Sequence, residues 1–65
     1  MATEQFIFND GTFYTVLSRH FVSIGLVDGH RYDVPNGHAW YDRVREATTR
    51  CEVEGYYLEL DALLV

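Results

Sequence analysis

The sequence predicts an α+β fold: a small single domain in which an antiparallel sheet of hairpins packs on one helix, followed by a C-terminal strand. Three observations predict it. Two turn signals, Asn9-Asp10-Gly11 and Asp28-Gly29, each lie between β-rich arms. Trp40, Val44, Ala47 and Cys51 recur at i, i+4, i+7 and i+11, the spacing of one helix face. Tyr56, Leu58 and Leu60 then alternate with Tyr57, Glu59 and Asp61, the period of a half-buried strand. The element order is ββββαβ over residues 1–65.

The first hairpin occupies residues 5–17, with Phe6, Ile7 and Phe8 before the turn and Phe13 to Leu17 after it. The second pairs Phe21–Val27 with His30–Val34. A two-residue Asp28-Gly29 loop suits a type I′ turn, because both central residues take φ > 0. In that register Gly25 lies opposite Tyr32, an aromatic cover for a strand glycine. Residues 12–24 also fit a helix, since Phe13, Val16, Leu17, His20, Phe21 and Ile24 form a helical stripe. The dominance of Phe, Tyr, Thr, Val and Ile favours strands there. Pro35-Asn36-Gly37 is punctuation, and Asn36 is placed to cap a helix over residues 38–50. Trp40 is its expected anchor on the sheet, and Cys51 is expected as a buried thiol on the same apolar stripe. In the last strand the pairs Glu52/Glu54 and Glu59/Asp61, each at i,i+2, share faces and make an acidic edge. The apolar end, Ala62-Leu63-Leu64-Val65, is expected to dock on the core or on another subunit.

Composition limits what such a domain does. With 65 residues there is room for one domain, and a chain so short buries only about 60% of its unfolded surface. Ten aromatics and 48% hydrophobic residues nevertheless argue for a folded core rather than a disordered segment. Self-association as a homodimer is one way to bury more surface. The formal charge of -5 comes from ten acidic residues against five arginines, with no lysine, which disfavours binding to duplex nucleic acid. No apolar run is long enough to cross a membrane, no signal-peptide pattern is present, and the single cysteine fits a reducing, cytoplasmic setting.

Four sets of residues bear on chemistry. Cys51 with His20, His30 or His38 is a thiol–imidazole set in composition only, and no nucleophile-elbow motif accompanies it. Asp28, His30, Asp33 and His38 cluster in sequence, but their spacing matches no metal motif, so neither a metal nor another cofactor is expected. Arg31, Arg43 and Arg45 with Tyr32 and Trp40 could hold a nucleotide or similar anion, guanidinium on phosphate and ring on base. Glu52, Glu54, Tyr57, Glu59 and Asp61 make a negative, tyrosine-bearing surface suited to a basic site on a larger protein. In general character the chain resembles short, acidic, aromatic-rich proteins of phages and mobile elements. That resemblance implies a non-enzymatic inhibitor that binds and blocks a host protein, CRISPR-type defence machinery included.

Overall fold

A computed structural model describes residues 5–64, with side chains described through Leu63. The order is β1 (Gln5–Asn9), β2 (Phe13–Leu17), β3 (Phe21–Leu26), β4 (Arg31–Pro35), α1 (Tyr41–Glu46) and α2 (Arg50–Leu64). The four strands form an antiparallel meander in sequence order, and both helices lie on one side of it. The α+β class therefore holds, and residues 12–24 are strands joined by a turn rather than a helix.

The β1–β2 turn is built by side-chain oxygens. Asp10 Oδ1 accepts the backbone N–H groups of Thr12 and Phe13 at 2.8 and 2.9 Å, and Asn9 Oδ1 accepts that of Gly11 at 3.0 Å. Gly11 takes φ +89°, a conformation that disfavours any side chain. These hydrogen bonds, with the Arg50 guanidinium 3.0 Å away, hold the Asp10 carboxyl below its usual range. That ion pair also ties the turn to the start of α2.

The second hairpin differs from the expected register. Gly25 pairs with Arg31, and Ile24 with Tyr32. Among the described residues only Gly11 and Gly37 have positive φ, so Asp28-Gly29 does not adopt a type I′ turn. Instead Val27 N–H extends the β2–β3 ladder to Thr12 O at 2.9 Å, and Leu26 N–H closes a longer loop on His30 O. Gly25 passes to β2, where it pairs with Tyr14. A Cβ at Gly25 would fall 2.6 Å from the Tyr14 hydroxyl, so the glycine lets that ring lie against the sheet.

The expected helix over 38–50 and the expected C-terminal strand are both corrected. α1 covers only Tyr41–Glu46, and the chain becomes extended at Ala47 (ψ 115°). A new helix begins at Arg50, because Thr49 caps it: its hydroxyl accepts Glu52 N–H at 3.3 Å and donates to Glu52 Oε2 at 2.9 Å. α2 then continues for 15 residues through the segment expected to be a strand. Val53, Tyr57 and Leu60, at i, i+4 and i+7, face the sheet, and Leu58 points to solvent. Cys51 is exposed, not buried. Asn36 does not cap α1; its side-chain amide donates to Arg19 O at 3.1 Å. Tyr41, whose hydroxyl donates to Ser18 O at 3.1 Å, anchors α1 more deeply than the half-buried Trp40. The apolar end, Ala62 to Val65, is the segment expected to dock; Ala62 and Leu63 are exposed, and the side chains of Leu64 and Val65 lie outside the described residues.

The core lies between sheet and helices. Phe13, Val22, Ile24, Tyr32 and Val34 of the strands meet Tyr41, Val44, Ala47, Val53, Tyr57 and Leu60. Tyr57 stacks edge-on against both Phe13 and Tyr32, with centroids 5.6 and 5.2 Å apart. The pairing register puts Phe6, Tyr14, Val16, Phe21, Arg31 and Asp33 on the opposite face, away from α1 and α2.

Candidate functional site

Turning the last segment from strand to helix re-sorts its carboxylates. On a helix, residues seven apart share a face, so Glu52 aligns with Glu59 and Glu54 with Asp61. Between these two rows run Cys51, Gly55, Leu58 and Ala62, at i, i+4, i+7 and i+11, on the side away from the core. Leu58 is 62% exposed at the centre of this strip. α2 thus has an apolar face toward the sheet and a second, narrower one toward solvent, bordered by acids on both sides.

Of the expected contact residues, Glu52, Glu54, Glu59 and Asp61 are exposed, whereas Tyr57 is in the core with its hydroxyl donating to His30 O at 3.3 Å. Burial raises the Tyr57 phenol above its usual value, and the Asp61 charge adds to this. Asp61 also accepts a hydrogen bond from the Tyr32 hydroxyl, which pushes that phenol up to about 12. The sequence reading missed Leu58, Gly55 and Ala62 as surface residues. The Thr49-x-x-Glu52 box is the signal that would have found them, since it sets the helical phase from which they project outward.

The other set, Arg31, Tyr32, Trp40, Arg43 and Arg45, is not brought together. Arg31 lies on the uncovered sheet face, in a 2.8 Å ion pair with Asp33 and over the Phe21 ring. Burial raises the Asp33 carboxyl, but hydrogen bonds from Arg31 and Ser23 and the Arg31 charge outweigh it, holding the group below its usual value. Tyr32 is buried. Arg45 borders a separate cleft with Arg19, Asn36 and Tyr41. Only Trp40 and Arg43 meet, the guanidinium 5.9 Å from the ring centroid, and Trp40 stacks edge-on against Tyr56. These three border a shallow groove of about 290 Å³ beside the outer strip, lined also by Cys51, Gly55, Glu52 and Glu59.

That groove holds no histidine beside Cys51. Among the described residues no three His, Cys, Asp or Glu side chains gather as metal ligands do. His30 stacks on Tyr32 at 4.6 Å, and His38 Nδ1 accepts Trp40 N–H at 3.0 Å. No described helix is long and apolar enough to cross a membrane. No family model, curated protein or solved structure matches the chain.

Proposed function

We propose that the protein is a non-enzymatic binding module whose helix α2 docks in an apolar groove with a basic rim on a larger protein, blocking or modulating it. The observation that carries this reading is the outward strip of Cys51, Gly55, Leu58 and Ala62 between two carboxylate rows. Three features of this face of α2 are unfavourable in the free molecule. Leu58 leaves apolar surface in water. Gly55 sits mid-helix with open space around it, where alanine would be better by about 1 kcal/mol. The last turn of α2 carries Asp61 and no basic residue, against the helix dipole. A partner groove removes all three penalties: it covers Leu58, approaches the backbone at Gly55 and brings cations to the acids. Basic grooves of that kind hold phosphate backbones in nucleic-acid-handling proteins. A host defence protein is therefore a partner of fitting chemistry, in keeping with the chain's general likeness to phage inhibitors. The same acids disfavour the anion-binding alternative, because Glu52 and Glu59 line the groove that Trp40 and Arg43 share.

The test starts from a partner captured on the immobilised protein from cells of its source. Leu58→Ala should weaken binding about tenfold, as loss of a central apolar anchor does. Glu59→Arg should slow association, while Asp28→Arg, the same charge change on the β3–β4 loop, should not. Equal losses from Glu59→Arg and Asp28→Arg would reduce the effect to net charge and remove α2 from the interface.

A further inference from the structure

We propose that the cleft where the β2–β3 turn, the end of β4 and α1 converge binds the phosphate group of a small ligand through Arg19 and Arg45. The cleft has a volume of about 390 Å³, in the range of small-molecule sites, and Leu17, Ser18, Arg19, Asn36, Tyr41 and Arg45 border it.

Charge sets these two arginines apart from the other three. Arg31 pairs with Asp33, Arg50 pairs with Asp10, and Arg43 lies over the Trp40 ring. Among the described residues neither Arg19 nor Arg45 pairs with a carboxylate, although the chain carries ten acids. No Asp or Glu among the described residues lines the cleft either, whereas Glu52 and Glu59 line the groove of Trp40 and Arg43. The place of Arg45 in the last turn of α1 suits the helix dipole, but Arg19 lies on no helix. Two cations bordering one cleft repel one another, and an anion between them is attracted by both.

The turn that carries Arg19 is held in place from two sides. The carbonyl of Ser18 accepts the Tyr41 hydroxyl at 3.1 Å, that of Arg19 accepts the Asn36 side-chain amide at 3.1 Å, and that of His20 accepts Asn36 N–H at 2.9 Å. Ser18 Oγ also accepts His20 N–H at 3.2 Å. Binding therefore requires little ordering of this loop. Arg19 Nε–H points to His20 Nε2 at 3.4 Å, which leaves its two terminal nitrogens for a ligand.

Phosphate is the anion that fits two such groups. One guanidinium fork meets both oxygens of a carboxylate, so a carboxylate would leave the second arginine unmatched. A tetrahedral phosphate offers a pair of oxygens to each fork and carries nearly two charges. The aromatic ring at the cleft, Tyr41, is buried, so stacking on a base takes no part in the recognition.

Titration of the isotope-labelled full chain with inorganic phosphate and with phenyl phosphate, followed by NMR at constant ionic strength, tests this, with acetate as the control anion. Both phosphates should saturate the site, with a Kd of about 1 mM for inorganic phosphate, and should shift the Nε–H signals of Arg19 and Arg45 and the backbone signals of Ser18 to His20. Arg19→Gln and Arg45→Gln should each weaken binding about tenfold, while Arg43→Gln, the same charge change on the same helix, should leave it unchanged. Should Arg19→Gln lose its structure, Arg45→Gln at an exposed position of α1 carries the same test. Phenyl phosphate that binds no more tightly than inorganic phosphate would make the free ion the ligand, and tighter binding would make it a phosphomonoester reaching over Leu17; both support the site. No saturation by about 50 mM phosphate, shifts confined to other residues, acetate binding as tight as phosphate, or an equal loss in Arg43→Gln would each overturn the proposal. No residue of α2 borders this cleft, so failure here leaves the α2 reading to its own test.

Discussion

Thr15 is fully buried in β2 beside Ile24, and its hydroxyl has no hydrogen-bond partner among the described residues. A buried hydroxyl without a partner costs stability that an apolar group of the same shape does not. Thr15→Val should therefore raise stability by about 1 kcal/mol, which in a domain of this size moves Tm up by roughly 4–8 °C. Gly55 is the opposite kind of residue, exposed in part and surrounded by open space. Gly55→Ala should give a similar gain in thermal melting, about 1 kcal/mol, through helix propensity alone. On the proposed function, the same substitution should weaken partner binding, so stability and affinity should move in opposite directions. A glycine that affected neither would have only the identity of the residue to explain it.

At the scale of elements, α2 is where sequence and structure part. The strands of both hairpins were legible because turn residues and β-branched arms agree, but the register and turn of the second were not, since Asp28-Gly29 closes a longer loop without positive φ. The last segment carried two patterns at once. Tyr56, Leu58 and Leu60 alternate like a strand, while Val53, Tyr57 and Leu60 repeat like a helix. Only the Thr49 cap and the space under α2 distinguish them, and the second of these is tertiary. The acidic residues were legible as a surface, but their grouping depended on the period and so came out differently. Substitution separates the two phases. Leu60→Ala should cost about 2–5 kcal/mol by opening a cavity, a large share of the roughly 3–10 kcal/mol expected of 65 residues. Leu58→Ala should change stability by no more than about 0.5 kcal/mol in a denaturant titration. A strand would make both costly.

The contact between β4 and α2 has its own signature in pH. The Tyr32 phenol is raised by its hydrogen bond to Asp61, then by burial and by the Asp61 charge, so the folded state holds its proton more tightly than the unfolded state does. Its contribution is thus fully present below the ordinary tyrosine value of 10.0 and is lost as pH rises through about 12. Tyr57, raised in the same direction by burial, adds to the loss in that alkaline window. Ultraviolet titration should show late-ionising phenols, and Tyr32→Phe should remove one of them and flatten the fall in stability above pH 10. A late phase unchanged in Tyr32→Phe would place the perturbed phenol elsewhere.

For the whole molecule, one core of sheet and helices supports two outward surfaces of different chemistry. Among the described residues the sheet face carries the Phe6–Tyr14 ring pair and the Arg31–Asp33 ion pair; the outer face of α2 is narrow, apolar along its centre and acidic along its sides. On the proposed function, the second of these is the surface that meets a basic partner. The acids that the sequence already grouped at positions 52–61 stand on α2 in the structure, in two rows rather than along one strand edge. What most directly tests the account is the association rate with the captured partner as a function of ionic strength, for the wild type and Glu59→Arg. The account predicts a wild-type rate that falls steeply with salt and a variant that is slower at low salt and less salt-dependent. Two rates that coincide at every salt concentration would contradict it.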